Sequence, residues 1–110
     1  GVAPNSQLVA DMMRNRIHHY TAGVGWADGA ADRLWGACNL LGIKVPEQLA
    51  IIGFDGCQEG RENRYNLTTV RAGWDVVASC ATELLIQHIQ GEEVPKETIL
   101  PVELVCGDST

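Results

Sequence analysis

The stretch Leu49-Ala50-Ile51-Ile52-Gly53-Phe54, followed at once by Asp55-Gly56, constrains the fold more than any other part of the chain. It is an uncharged apolar run without polar alternation. Such a run reads as a β-strand covered on both faces, as in parallel sheets flanked by helices. Upstream, Thr21-Ala22-Gly23-Val24-Gly25-Trp26-Ala27 is also uncharged, short and turn-bounded. It reads as a second buried strand, against which its two glycines argue. Between the two runs, Ala31, Leu34, Trp35, Cys38 and Leu41 form the apolar face of a helix that Asp28 opens and Gly42 closes. Strand, helix and strand in that order, with buried runs, is the signature of a βαβ unit.

The flanking segments extend this α/β pattern. From Asn5, a candidate N-cap, to about Arg16, the residues Leu8, Val9, Met12 and Met13 recur at helical spacing. Residues 43–48 form a connector. The polar, charged stretch from Cys57 to Asn66 reads as a surface loop, and Leu67-Thr68-Thr69-Val70 as a short strand. Helical spacing returns from Trp74 to about Gln90 through Val77, Ala81, Leu84, Leu85 and Ile89, and Gly91 closes it. Pro95 and Pro101 bracket the lead-in to a last strand over roughly 99–105. Three helices and about four extended segments make a thin sheet for a free-standing domain.

Composition narrows the function. With 110 residues and 45% hydrophobic content, the chain has the make-up of one globular unit and not of a disordered segment. Its 14 acidic residues outnumber 8 basic ones, giving a net charge of −6 and no basic stripe. Nucleic acid is held by Lys and Arg neutralising phosphates, so this segment is not expected to touch DNA or RNA by itself. No apolar run approaches the ~20 residues that span a bilayer, and no signal-peptide pattern opens the chain. Cys38, Cys57, Cys80 and Cys106 form no C-x-x-C pair and no zinc spacing with histidine. They read as small hydrophobes in a reducing compartment.

No nucleophile motif, P-loop or dinucleotide fingerprint is present. No catalytic residue and no cofactor are therefore expected. Adjacent His18 and His19 diverge at a helix end and lack a third ligand, so no metal site is expected. His88 lies late in a helix, where the dipole favours a cation. Asn66-Leu67-Thr68 matches a glycosylation sequon by chance.

The informative residue is Asp55, which sits where a buried strand ends and a loop begins. Open α/β sheets bind ligands beyond the carboxyl ends of their strands. A carboxylate there can accept hydrogen bonds from neighbouring hydroxyls of a sugar or nucleoside. Its alternative is a turn cap, and residue chemistry leaves the two open. Asp28 also follows a strand, and a cap on the helix is the stronger reading there. Trp26 and Trp74, near element ends, suit the apolar face of a sugar ring or the core; Trp35, inside a helical stripe, suits the core.

Taken in order, Asp28-Gly29-Ala30-Ala31, Gly42-Ile43-Lys44-Val45-Pro46, Ile51-Ile52-Gly53-Phe54-Asp55-Gly56, Leu67-Thr68-Thr69-Val70-Arg71, residues 100–105 and Ser109-Thr110 resemble the carboxyl-terminal end of LacI/GalR-family transcriptional regulators. Each motif alone is weak; their order and spacing together are specific, and they cover residues 21–110. The resemblance implies a periplasmic-binding-protein-like lobe, mainly parallel sheet flanked by helices, truncated on its amino-terminal side, with residues 1–110 forming a single incomplete domain. It implies effector sensing by a cytoplasmic homodimer that reaches operator DNA only through a helix-turn-helix domain outside this chain. The partner would be a small polar effector, with no membrane involved.

Residue by residue, Asp55 matches the acid of the family's Gly-[Tyr/Phe]-Asp motif, which contacts effector hydroxyls. Trp74 matches an aromatic position lining the pocket. Ala27-Asp28 stands where the family usually has Asn-Asp, so the amide contact is missing at Ala27. Gly56 replaces a frequent second Asp, and Gly107 falls where Arg is common. The implied effector-binding residues are Asp55, Trp74, Ala27 and Asp28. The family chain crosses between lobes after Val70, so the apolar stripe of the last helix is expected to be exposed when this segment stands alone. Self-association, element swapping or repacking of that helix on its own sheet would cover it. The main alternative is a periplasmic solute-binding protein of the same fold; a small α/β enzyme is the third reading.

Overall fold

The computed structural model describes residues 5–57 and 65–110. The described part of the expected surface loop is therefore limited to Cys57, Tyr65 and Asn66, and residues 58–64 lie outside the described residues. The chain divides into two compact units. The first comprises residues 1–71 and 104–110, the second residues 72–103.

In the first unit α1 (Ser6–Met13) precedes a short 3-10 turn, Ile17–His19, then β1 (Ala22–Val24), α2 (Asp28–Leu40) and β2 (Ala50–Asp55). The strand β3 (Thr68–Ala72) has its last residue in the second unit, and β4 (Val102–Val105) begins in the second unit and ends in the first. The strands run in the order β1-β2-β3-β4, with β1, β2 and β3 parallel. Ile52 is the register partner of Val24 on one side and of Thr68 on the other. The βαβ expectation holds, and β2 is a central strand.

Coverage differs from expectation. Along β2, Ile51 and Gly53 are buried, Ile52 is half-buried and Phe54 is exposed. On β1, Val24 is 76% exposed. These strands alternate, instead of being dry on both faces, because α2 packs on one face of β1 and β2. That face holds the core of Ile17, Ala31, Cys38, Ile43, Leu49, Ile51 and Leu67. Burying each of Leu49, Ile51 and Leu67 contributes about 1.5–3 kcal/mol. An apolar run signals a strand but not how many of its faces are covered.

α1 also turns differently from its sequence pattern. Ser6 and Ala10 are its buried residues, while Leu8 and Met12 are exposed. Small residues let α1 approach α2, against which it packs. Asn5 occupies the N-cap position in a left-handed conformation, φ 66°, but its side chain makes no capping bond. α2 ends as expected: Gly42 takes φ +70° and the Ile43 amide donates to the Cys38 carbonyl at 2.8 Å. Trp35 sits at the core edge and stacks on Tyr65, with ring centroids 4.8 Å apart.

The tail residues fasten the amino-terminal edge of the sheet. Ser109 is fully buried between β2 and the start of β3. Its Oγ donates to the Ile51 carbonyl at 2.5 Å and accepts from the Thr68 amide at 2.8 Å. The Ile51 amide donates to the Ser109 carbonyl at 2.7 Å. Ser109 thus satisfies the ladder groups where β3 has not yet joined β2.

The second unit is built on α3 (Trp74–Ile89), closed by Gly91 at φ +83° with the Glu92 amide donating to the Gln87 carbonyl at 3.0 Å. The following segment lines a shallow groove with α3, bringing Pro95 and Leu100 near Val77, Ala81 and Leu84. No residue of α3 is buried. The stripe that the sequence marked as apolar is half-buried at Val77 and Leu84 and exposed at Ala81 and Leu85.

Candidate functional site

β1, β2 and β3 are parallel, so their carboxyl ends lie along one edge of the sheet. Three expected site residues, Ala27, Asp28 and Asp55, fall at this edge. The backbone builds it in three steps. β1 ends at Val24, the Gly25 amide donates to the Ile52 carbonyl at 2.8 Å, and α2 begins three residues later at Asp28.

Ala27, not Asp28, is the N-cap of α2. Its carbonyl accepts from the amides of Ala30 and Ala31 at 3.0 and 3.1 Å. Asp28 occupies the first helical position, and its side chain is 1% exposed. The capping reading of Asp28 is therefore corrected. Its carboxylate reaches away from its own helix: Oδ1 accepts a hydrogen bond from Thr69 Oγ1 on β3 at 2.5 Å. Oδ2 is buried and has no hydrogen-bond partner among the described residues. A negative charge in the first turn is favoured by the helix dipole.

Gly53 makes room for this carboxylate. A Cβ at 53 would collide with Asp28 Oδ1 and stand 2.6 Å from Leu67 Cδ2. The sequence showed Gly53 only as a gap in an apolar run. Its register partner on β3 is Thr69, so Asp28, Gly53 and Thr69 form one contact across α2, β2 and β3. Thr69 was missed as a site-shaping residue; the signal was a hydroxyl in a short strand opposite a glycine.

Asp55 is the last residue of β2 and is half-buried. Its φ of 93° lies in the left-handed region, which residues with a side chain seldom occupy, and Gly56 follows at φ 68°. The chain therefore turns sharply at the carboxyl end of the central strand. Strained backbone of this kind clusters at functional sites. Trp26, between β1 and α2, is 82% exposed and so is not a core residue. Trp74 opens α3 in the second unit and is 49% exposed.

Gly107 lies at the other edge. Its amide donates to Thr68 Oγ1 at 2.9 Å, and a Cβ there would collide with the Asn66 carbonyl oxygen and stand 2.8 Å from Asn66 C. The backbone as it stands has no room for the arginine common at this place in the family. Cys38 is buried, and burial pushes its thiol up to about 11, so it remains a neutral core residue; Cys57 and Cys106 are exposed.

The model for the periplasmic binding protein-like domain matches residues 3–110. A sucrose operon repressor of Streptococcus mutans serotype c is 37% identical over 71 residues, which is 64% of this chain and 22% of the repressor. The chain thus spans about a fifth of that relative's length. A LacI family transcriptional regulator from Arthrobacter sp. FB24, solved in complex with lactose, superposes with a TM-score of 0.81 at 27% identity, covering 98% of this chain and 41% of that one. A Lac repressor dimer bound to operator and an anti-inducer shares the fold, with a TM-score of 0.84 at 24% identity, covering 99% and 38%. The chain belongs to the periplasmic binding protein-like domain family, in the form found in LacI/GalR-type transcriptional regulators.

Proposed function

We propose that this chain is the effector-sensing portion of a LacI/GalR-type regulator, and that Asp55 accepts hydrogen bonds from hydroxyls of a small, sugar-like molecule. The observation that carries this reading is the position of Asp55. It ends a central parallel strand, where α/β sheets bind ligands, in a turn held at left-handed φ. The sucrose operon repressor and the lactose-bound regulator among its relatives support a carbohydrate class.

Ala27 offers the effector only backbone and a methyl group beside that edge. Asp28 takes part through the Thr69 bond, which holds the head of α2 to β3. Trp74, in the second unit, is proposed as an effector contact on its exposure and its place in the family pattern alone. In the whole protein, effector binding would alter operator affinity, with DNA held by a helix-turn-helix domain in a cytoplasmic homodimer; the solved Lac repressor dimer on operator supports that arrangement. The described residues contain no helix long and apolar enough to cross a membrane. The chain acts by binding and not by catalysis.

Calorimetric titration of the full-length protein with a panel of pentoses, hexoses and disaccharides tests the proposal. Asp55→Asn is expected to weaken the tightest of them by about 1–3 kcal/mol, the cost of losing a charged acceptor. Equal affinity in a folded variant would remove Asp55 from the site.

A further inference from the structure

The edge of the sheet opposite Asp55 carries a recess of about 270 Å³. It lies where β1 and β2 begin, between the 3-10 turn at Ile17–His19 and the connector that leads from α2 to β2. Every residue that lines it belongs to the first compact unit. Ile17, Ile43 and Leu49 are buried and form its floor, and all three are members of the hydrophobic core. His18, Tyr20, Thr21 and Gln48 form its exposed walls.

Backbone bonds hold these walls in place. The Tyr20 amide donates to the Ile17 carbonyl at 3.1 Å, and the Ala50 amide donates to the Thr21 carbonyl at 2.9 Å. Gln48 is pinned twice. Its own amide donates to the Lys44 carbonyl, and its side-chain Oε1 accepts from the Lys44 amide, both at 2.8 Å. The second bond fixes which way the side-chain amide lies and leaves the Nε2 hydrogens as donors. The side chains of His18, Tyr20 and Thr21 make no hydrogen bond among the described residues. Polar groups that are held in place and not engaged elsewhere lose little freedom when a ligand takes them.

The lining decides the chemistry. No carboxylate, lysine or arginine lines the recess. An anion finds no fixed positive charge there. A sugar presents several hydroxyl donors, and the one amide acceptor, Gln48 Oε1, is already taken by Lys44. What the walls do offer is a Tyr20 ring that is 59% exposed, donors at Gln48 Nε2, and the donor-and-acceptor groups of Thr21 and His18. Those suit a flat ring with nitrogen and carbonyl groups along its edge, lying over an aliphatic floor. Ligand pockets begin at about 300 Å³, so the volume suits one ring system and not a disaccharide.

We propose that this recess is a second small-molecule site, separate from the carboxyl edge, and that it takes an uncharged planar nitrogen heterocycle of the nucleobase type. The ring stacks on Tyr20, and its edge pairs with Gln48 Nε2, Thr21 Oγ1 and the His18 imidazole. The inference does not rest on Asp55 meeting an effector.

The test is calorimetry and backbone amide shift mapping of the full-length protein with adenine, cytosine and uracil. Phenol serves as a ring without the paired edge, and glucose as a polyol. Wild type, Tyr20→Ala, Tyr20→Phe, Thr21→Val, Gln48→Glu and Asp55→Asn are compared, with folding checked by thermal melting. The expected result is that one base binds and shifts amides at residues 17–21 and 43–49. Tyr20→Ala weakens it at least tenfold, while Tyr20→Phe keeps the stack and most of the affinity. Thr21→Val weakens it severalfold. Gln48→Glu does the same, because it keeps the acceptor for Lys44 and removes the donors. Asp55→Asn leaves the affinity within about twofold, whatever it does to sugar binding, so the two sites are read separately. No shift at residues 17–21 and 43–49 with any base up to about 5 mM overturns the proposal. So does affinity unchanged in Tyr20→Ala, or phenol or glucose binding in the recess as tightly as the best base.

Discussion

The bond between Asp28 and Thr69 gives a sharp test of how the head of α2 is held. Thr69→Val removes the donor that Asp28 Oδ1 has among the described residues and keeps the side-chain shape. Both carboxylate oxygens are then without a described partner, since Oδ2 already has none among the described residues. Hydrogen bonds to charged groups contribute about 1.5–3 kcal/mol, so Thr69→Val should destabilise by about 2 kcal/mol. Asp28→Ala loses the same bond and also the charge in the first turn of α2, which contributes about 0.3–1 kcal/mol, up to about 2 in partly buried sites. It should therefore cost about 2–4 kcal/mol.

Because both variants delete one bond, the double variant should fall short of additivity by about 1.5–2 kcal/mol. Urea denaturation reads this directly. For a slope of about 1–3 kcal/mol/M, a loss of about 2 kcal/mol moves the midpoint by about 0.7–2 M. A coupling energy below about 0.5 kcal/mol with unchanged slopes would refute the claim that this bond ties α2 to β3.

Two other consequences are independent of the effector. Ser109→Ala strands the buried Thr68 amide and removes the donor to the Ile51 carbonyl, so it should cost about 2–3 kcal/mol in the same urea titration; a loss under about 0.5 kcal/mol would contradict its role as a fastener. Cys38 should resist alkylation in the folded chain while Cys57 and Cys106 react, as read by mass spectrometry. Its thiol is raised from 9.0 to about 11, so between those values the folded state holds a proton that the unfolded state loses. Stability from this group is present below pH 9 and declines as pH rises through 11, and Cys38→Ala should flatten that part of the profile.

What the sequence disclosed follows from the range of each interaction. β2 and its terminal Asp55 were legible because an apolar run ended by Asp-Gly is a local signal. The βαβ order and the closure of α2 at Gly42 were legible for the same reason. The one-sided coverage of β2 was not, because it depends on where α2 packs. Asp28 looked like a cap because its true partner, Thr69, lies 41 residues away. The buried role of Ser109 depends on Ile51, 58 residues distant. On α1 the large apolar residues drew attention, while Ser6 and Ala10 are the ones buried at close approach.

The central claim is that the effector meets the carboxyl edge of the sheet at Asp55. Backbone amide chemical-shift mapping of the full-length protein, with and without the tightest-binding sugar of the calorimetric panel, tests it most directly. The account predicts the largest shifts at residues 26–28 and at Asp55 and Gly56. Shifts concentrated instead at residues 107–110, with Asp55 unmoved, would place the ligand at the opposite edge and contradict it.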